Sequence, residues 1–410
     1  MTDLTITRLG HQGDGIAATE AGPVFAPRTL PGESVTGART GDRIPAPKIV
    51  TPSPDRVAPP CRHFRRCGGC ALQHASEGFV ADWKAALVRD NLARAGIDAE
   101  IAGVSTSPPN ARRRAALAGR KTKKGAEVGF HVPAGHEIVA IPDCKLLHPR
   151  ILAALPALGR ITRIAAARGA EVTLHVTEGP DGLDLAIDGA KPFDRDAMLA
   201  LAPLGPGFAR ITWNGEPALQ QMPPAQVMGR ARVVPPPGAF LQATAEGEAA
   251  LVAHVLGTVQ GASRVVDLFA GCGTFTFPAA EIASVDAFEG EADLVAAVSD
   301  AARHASGLKP VSARRRDLFR DPLTAEELAA YDTAIIDPPR AGAAAQVAEL
   351  ARADLHAIAF VSCHPGTFAR DAATLVAAGW RMGPVAVVDQ FRWSPHVELV
   401  TRFARIDQAS

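Results

Sequence analysis

The stretch RVVDLFAGCGTFTFPAA (264–280) passes from apolar, β-branched residues through a Gly-x-Gly turn into residues that suit a buried helix. Gly271 and Gly273 allow the backbone to turn sharply and to come close to a ligand. Taken alone, such a turn holds a dinucleotide, a phosphate or nothing. Three neighbouring features narrow the choice. The third glycine of the dinucleotide fingerprint is absent. Glu289 ends the next apolar run, where a carboxylate can take both hydroxyls of a ribose. Asp317 follows the third run, within reach of an adenine edge.

This pattern suits S-adenosylmethionine better than a nicotinamide cofactor. Outward from it, from about residue 240 onward, apolar runs and helical stretches alternate: RVVDLF, ASVDAF, TAIID and AIAFV, with VAVVDQF and VELVTRF at the end. Such alternation predicts a doubly wound, Rossmann-like α/β domain with a mostly parallel sheet. No long helix separates the last two runs, so they are expected to form an antiparallel hairpin at the sheet's edge. Ligand sites in these sheets lie beyond the carboxyl ends of the strands. DPPR (337–340) therefore places Asp337 in the same cleft, on a turn fixed by two prolines. Arg340 stands where methyltransferases of amino groups carry an aromatic residue, which argues against an amino-group target.

VSCHPGTFARD (361–371) ends a further strand in a cysteine and turns at a proline. A structural cysteine normally sits mid-strand, whereas Cys363 opens into the crevice. Glu398 begins the last strand. A thiol, a carboxylate and a methyl donor point to one chemistry. C5 of uracil is too weak a nucleophile to take a methyl group directly. A thiolate adding at C6 makes it enolate-like, and a base must then remove the C5 proton so that the thiolate can leave.

PGAFLQ (237–242), DLFAGCGTF (267–275), Glu289, DPPRAG (337–342), VSCHPGTFARD and HVELV (396–400) occur in this order. On these motifs the chain resembles the RNA uracil-C5 methyltransferases, which form 5-methyluridine in ribosomal and transfer RNA. The resemblance implies a class I S-adenosylmethionine-dependent methyltransferase domain over 236–410. It also implies Cys363 as nucleophile and Glu398 as base. Gln242, Phe269, Gly271, Gly273, Thr274, Glu289, Asp317 and Asp337 are implied to line the methyl-donor and base pocket, with Phe240 stacked on the target uracil. Three departures stand out: His364 and Thr274 replace asparagines usual in the family, and AVSDAARHAS lacks another.

Ahead of this domain, residues 1–48 read as a small β-barrel of short extended runs separated by Gly- and Pro-containing turns. G-D-G-I-A and L-P-G-E-S-V resemble the RNA-binding TRAM module. Residues 49–235 read as a central α+β region. It opens on a Pro-rich linker, then the cysteine group, then a helix over GFVADWKAALVRDNLARAG with Leu87 and Leu92 inward. Cys61, Cys67 and Cys70 are spaced C-x5-C-x2-C, and Cys144 follows at a distance. Four thiols suit zinc or an iron–sulfur cluster. The family resemblance favours a 4Fe-4S cluster, as a structural staple between the segment near 61 and that near 144. Cys272 is expected only to pack.

Lys and Arg total 43, as do Asp and Glu, so net charge names no partner. ARRR (111–114), GRKTKK (119–124) and ARRR (313–316) are local basic runs, usually a solvated surface. Those at 111–124 are candidates for RNA phosphates. A uracil in a helix hides C6, so the enzyme must act on a loop or swing the base out. Hydrophobic residues make up 47%, enough for packed cores, and no apolar run approaches a bilayer's thickness. No signal peptide is recognisable, so a monomeric cytoplasmic protein is expected. Ribosomal RNA is favoured over transfer RNA. The competing readings are an amino-group methyltransferase and a non-catalytic RNA-binding assembly factor.

Overall fold

The computed structural model describes residues 3–405, so the first two and last five positions of the expected terminal domains lie outside it. It is an α/β protein built around two large sheets. The catalytic sheet has nine strands. Eight lie in the order Val311–Arg315, Ser284–Glu289, Arg264–Leu268, Thr333–Ile336, Ala357–Ser362, Glu398–Arg405, Val385–Asp389 and Ile101–Thr106. The first five pair in parallel, as the strand–helix alternation requires. Arg264–Leu268, Thr333–Ile336 and Ala357–Ser362 are almost wholly buried, which is why they read as unbroken apolar runs.

Two expectations change here. Val385–Asp389 and Glu398–Arg405 do pair antiparallel, but they lie inside the sheet. The edge is taken by Ile101–Thr106, parallel to Val385–Asp389. The boundary expected at 235/236 is therefore crossed. The helix Glu77–Arg94 crosses it too, sending Val88 and Leu92 into the core that holds Val347, Phe360 and Phe403. Leu87, expected inward, is only half-buried; its place is taken by Val88 and, one turn earlier, by Lys84. The helix stops where Gly96 takes a left-handed φ of 78°.

The central sheet has seven strands, from Ile138–Ala140 at one edge to Glu216–Gln220 at the other, antiparallel except for Gly182–Asp188 beside Phe208–Trp213. Its apolar face is covered by Pro149–Ala165, whose Ile151, Leu158 and Ile161 are buried. The N-terminal unit consists of two three-stranded sheets around Ile6, Val24, Val35 and Ile44, and runs to Lys48–Thr51. Among the described residues no helix is long and apolar enough to cross a membrane.

Candidate active site

The chemistry-bearing groups meet at one rim of the catalytic sheet. Ser362 pairs with Leu399 across antiparallel strands, so the next position of each brings Cys363 opposite Glu398. Asp337 follows Ile336, whose strand lies beside Ala357–Ser362 on its other side. Strand register alone thus gathers a thiol and two carboxyl groups that are distant in sequence.

Burial dominates their electrostatics. The Cys363 thiol is pushed up to about 12, chiefly by desolvation and then by the negative charge of Glu398 and Asp337. Arg340 pulls in the opposite direction. Asp337 is raised to about 7 by desolvation. Glu398 is raised well above the usual carboxylate range by burial and by Asp337, against a hydrogen bond from Gln390 and the charge of Arg340. Glu398 is buried while Cys363 and Asp337 are half-buried, and their mutual repulsion disfavours ionising all three together. Immediately after Cys363 the helix Pro365–Ala377 begins, with the His364 ring nitrogen capping Thr367 N at 3.2 Å. A helix N-terminus favours a thiolate.

Gln242 is buried, and its carboxamide oxygen accepts from Gln390 Nε2 at 2.5 Å. Gln390 in turn accepts from Ala243 N at 2.6 Å. Sequence reasoning passed over Gln390, which sits in the turn of the terminal hairpin and carries no motif of its own. Phe240 is 57% exposed, with the Arg114 guanidinium 4.6 Å from its ring centroid. The ring thus presents an exposed face in the segment that leads to Gln242.

The glycine turn has the geometry of a ligand cradle. Gly271 has φ 56° and a Cβ there would meet nothing, so the space in front of it is open. Gly273, at φ 89°, has no room for a Cβ against Phe277. Glu289 accepts from Gly271 N and from Glu291 N, each at 3.0 Å, which fixes its carboxylate at the lip of this turn with lone pairs to spare. Phe269 adopts a left-handed φ of 62°, and its ring lies 5.3 Å from that of Phe319. Thr274 is half-buried at the start of the following helical turn. Asp317 is exposed and accepts from Phe319 N at 3.1 Å, so one of its oxygens closes its own turn. Open backbone, a fixed carboxylate and a second acid one strand away fit an adenosyl ligand.

The four cysteines of the central region also converge. Cys61, Cys67, Cys70 and Cys144 line one cavity together with Phe64, Phe130 and Ile141. Cys70 is pushed up to about 12 by burial, with the charges of the other three thiols adding to the effect. Among the described residues no three His, Cys, Asp or Glu side chains close in tightly enough to hold a single ion. Four thiols lining one cavity are the donor set of a zinc ion or of an iron–sulfur cluster. The cysteine segment is held on two sides: Gly68 N donates to His131 O at 2.8 Å, and Ala71 N donates to Trp393 O at 2.7 Å. The second contact belongs to the hairpin turn that precedes Glu398. Cys272 is buried in apolar packing, as expected.

The run 111–114 is not a phosphate surface. Arg113 is buried, reaching Gln242 O at 3.1 Å and pairing with Glu248. Arg112 faces the Phe391 ring at 5.8 Å, and Arg114 faces Phe240. These cations join the central sheet to the catalytic cleft. In 313–316, Arg316 is tied to Glu327 and Asp321.

Known proteins of similar sequence and fold identify the family. Residues 232–405 match the family model described as tRNA (Uracil-5-)-methyltransferase. An uncharacterized RNA methyltransferase of Caulobacter vibrioides is 47% identical over 99% of this chain and 100% of its own length. The 23S rRNA (uracil(1939)-C(5))-methyltransferase RlmD of Chromohalobacter salexigens is 33% identical over 98% of this chain and 89% of its own. The crystal structure of Pyrococcus abyssi tRNA (uracil-54, C5)-methyltransferase with S-adenosyl-L-homocysteine superposes with a TM-score of 0.75. It covers 98% of this chain and 99% of that one at 23% identity, a likeness of fold. The Cys363–Glu398–Asp337 rim, the glycine cradle and these relatives agree: the chain belongs to the RNA (uracil-5-)-methyltransferase family.

Proposed function

We propose that this enzyme methylates C5 of a uracil in RNA through a covalent bond between Cys363 and C6 of the base, with 23S ribosomal RNA as its substrate. The observation that carries the mechanism is the register that sets Cys363 opposite Glu398 with Asp337 on the adjacent strand end. Gln242, Phe269, Gly271, Gly273, Thr274, Glu289, Asp317 and Asp337 form the donor and base pocket. Bound S-adenosylmethionine would supply an electrophilic methyl group to the activated C5, the methyl–sulfonium bond breaking to leave neutral S-adenosylhomocysteine. Phe240 receives the swung-out base on its exposed face. The Cys363 proton passes to a neighbouring carboxylate, and the sulfur's electron pair forms the S–C6 bond while the ring's π pair moves onto C5 and O4. Glu398 then takes the C5 proton. The released electrons restore the C5=C6 bond and expel the thiolate.

Cys61, Cys67, Cys70 and Cys144 hold a 4Fe-4S cluster that shapes the segment packed on the Trp393 turn. The N-terminal unit acts as a TRAM-like RNA-binding module, and the chain divides functionally near 48 and 235. A full-length relative that is a 23S rRNA methyltransferase supports the ribosomal target. The decisive experiment incubates the enzyme with 5-fluorouracil-substituted 23S RNA fragments and S-adenosylmethionine. Fluorine cannot leave as a proton, so a denaturant-resistant protein–RNA species is expected, absent in Cys363→Ala. Mapping 5-methyluridine in ribosomal and transfer RNA, with and without the gene, decides the substrate. A loss confined to transfer RNA overturns the ribosomal assignment.

A further inference from the structure

The central region carries a cleft that the reaction does not use. It has a volume of about 320 Å³ and is lined by Lys121, Arg160, Arg163, Ile164, Ala200 and Leu204. Arg160 and Arg163 are three apart on the helix Pro149–Ala165, hence on one face, and Lys121 ends the strand Arg114–Lys121. All three cations are exposed. Among the described residues none of them has an ion-pair or hydrogen-bonded side-chain partner, whereas adjacent Arg120 is bound to Glu171 at 2.8 Å. No carboxylate lines the cleft, and its floor is apolar. Lys123 and Lys124, on the turn that follows Lys121, add exposed charge beside it.

Three unpaired cations over an apolar floor repel one another unless an anion joins them. Some surface arginines elsewhere are neutralised, as in Arg303–Asp300 and Arg232–Asp181, while others, such as Arg89 and Arg381, stand singly in solvent; here three cations share one cleft. The strand that carries Lys121 also carries Arg114, which faces Phe240 at its other end. Arg114 and Lys121 stand an odd number of positions apart, so they project from opposite faces of the central sheet; the cleft lies on the face covered by Pro149–Ala165, where Gly119 abuts Thr162.

We propose that this cleft is a second RNA-binding site, in which Lys121, Arg160 and Arg163 take backbone phosphates of the substrate away from the uracil being methylated. The proposal rests on the uracil-5 methylation reading for the position of the target base, but not for the charge argument. The site recognises no sequence. It adds affinity and fixes the register of a long RNA, so short substrates do not feel it.

The test compares the enzyme with a Lys121→Ala/Arg160→Ala/Arg163→Ala variant and with an Arg303→Ala control. RNA binding is measured by anisotropy across a salt series, using a folded rRNA fragment of several tens of nucleotides and a seven-nucleotide oligomer centred on the target. For the long RNA the triple variant is expected to bind at least tenfold more weakly. Its log–log salt slope should be shallower by about two to three units, at 0.7–0.9 per lost phosphate contact. KM for methyl transfer to the long RNA should rise with kcat unchanged, and the short oligomer should show neither effect. An unchanged slope and affinity on the long RNA overturns the proposal and leaves the cleft to another anion or an acidic protein. Equal weakening on both RNAs also overturns it. An unaltered melting curve shows that the exposed substitutions left the fold intact. Failure of the unmodified enzyme to methylate any RNA would sink the uracil-5 reading instead, while the salt slope would still report on the cleft.

Discussion

Cys363 and Cys70 are both thiols pushed up to about 12, yet they serve opposite ends. Around Cys70 the companions are three more thiols in an apolar cavity. Their mutual repulsion is relieved when soft metal centres take the sulfurs as thiolates. Around Cys363 the companions are two carboxyl groups, an arginine and a helix start. There the repulsion is relieved by moving protons, which is what an addition–elimination sequence needs. Burial supplies the same upward push in both places, and under the proposed function the neighbours make one sulfur a ligand and the other a nucleophile. The two sites also touch: the residues after Cys70 hydrogen-bond to Trp393, in the turn that carries Gln390 and leads to Glu398.

The contrast is broken most severely by Cys363→Ala. Methyl transfer should fall by roughly 10⁴-fold or more, with adduct formation abolished and the melting temperature unchanged. Cys70→Ser should behave in reverse: the protein loses its iron, sulfide and visible absorbance and melts several degrees lower, but still forms the fluorouracil adduct. If it retains full iron content, the cluster assignment fails.

Lys84 tests the scaffold that links the two sites. Its ammonium is fully buried against Asp389 at 2.5 Å, tying the helix Glu77–Arg94 to the base of the hairpin turn. Lys84→Met should cost about 3–5 kcal/mol in denaturant unfolding, because it strands a buried carboxylate. Adding Asp389→Asn should restore a large part of that loss.

Glu398→Gln sharpens the contrast from the nucleophile's side. The C5 proton is no longer removed, so an adduct with ordinary uracil should accumulate on gels. In the free enzyme the loss of the neighbouring negative charge should speed iodoacetamide labelling of Cys363 a few-fold at pH 8, with Cys70 unaffected.

The smallest effect is on pH. A carboxyl group raised above its usual value stays protonated to higher pH, and a base works only when ionised. The rate should therefore fall as pH drops through the raised value of Glu398, at a higher pH than an ordinary carboxylate would give. Asp337→Asn removes a charge that raises Glu398, so the acid limb of whatever activity remains should shift to lower pH. A limb that stays in place or moves upward would detach Asp337 from the base.

Much of this site was legible because its chemistry is local. The glycine cradle, DPPR and VSCHPG each place a side chain at a strand end within one short segment, and strand ends of such sheets face ligands by topology. Phe240 and the four cysteines were legible for the same reason, as distinctive residues at fixed spacing. Gln390, Lys84 and Arg113 were not. Each is a polar residue whose importance comes from a partner more than a hundred positions away: Gln242, Asp389 and Glu248. Arg113 even read as part of a basic surface run, because charge in a sequence looks the same whether solvent or a carboxylate answers it.

By itself, then, the sequence determined the doubly wound sheet and singled out Cys363, Glu398 and the cysteine set as candidates, since these follow from hydrophobic period and residue chemistry along short stretches. Only the tertiary structure decided that Ile101–Thr106 and the helix before it complete the catalytic sheet. It alone decided that the terminal hairpin lies inside that sheet and that Lys121, Arg160 and Arg163 share one cleft. Edge pairing and the meeting of distant charges are set by how whole elements pack, and no local pattern of apolar and polar residues encodes which distant strand or helix will be the neighbour.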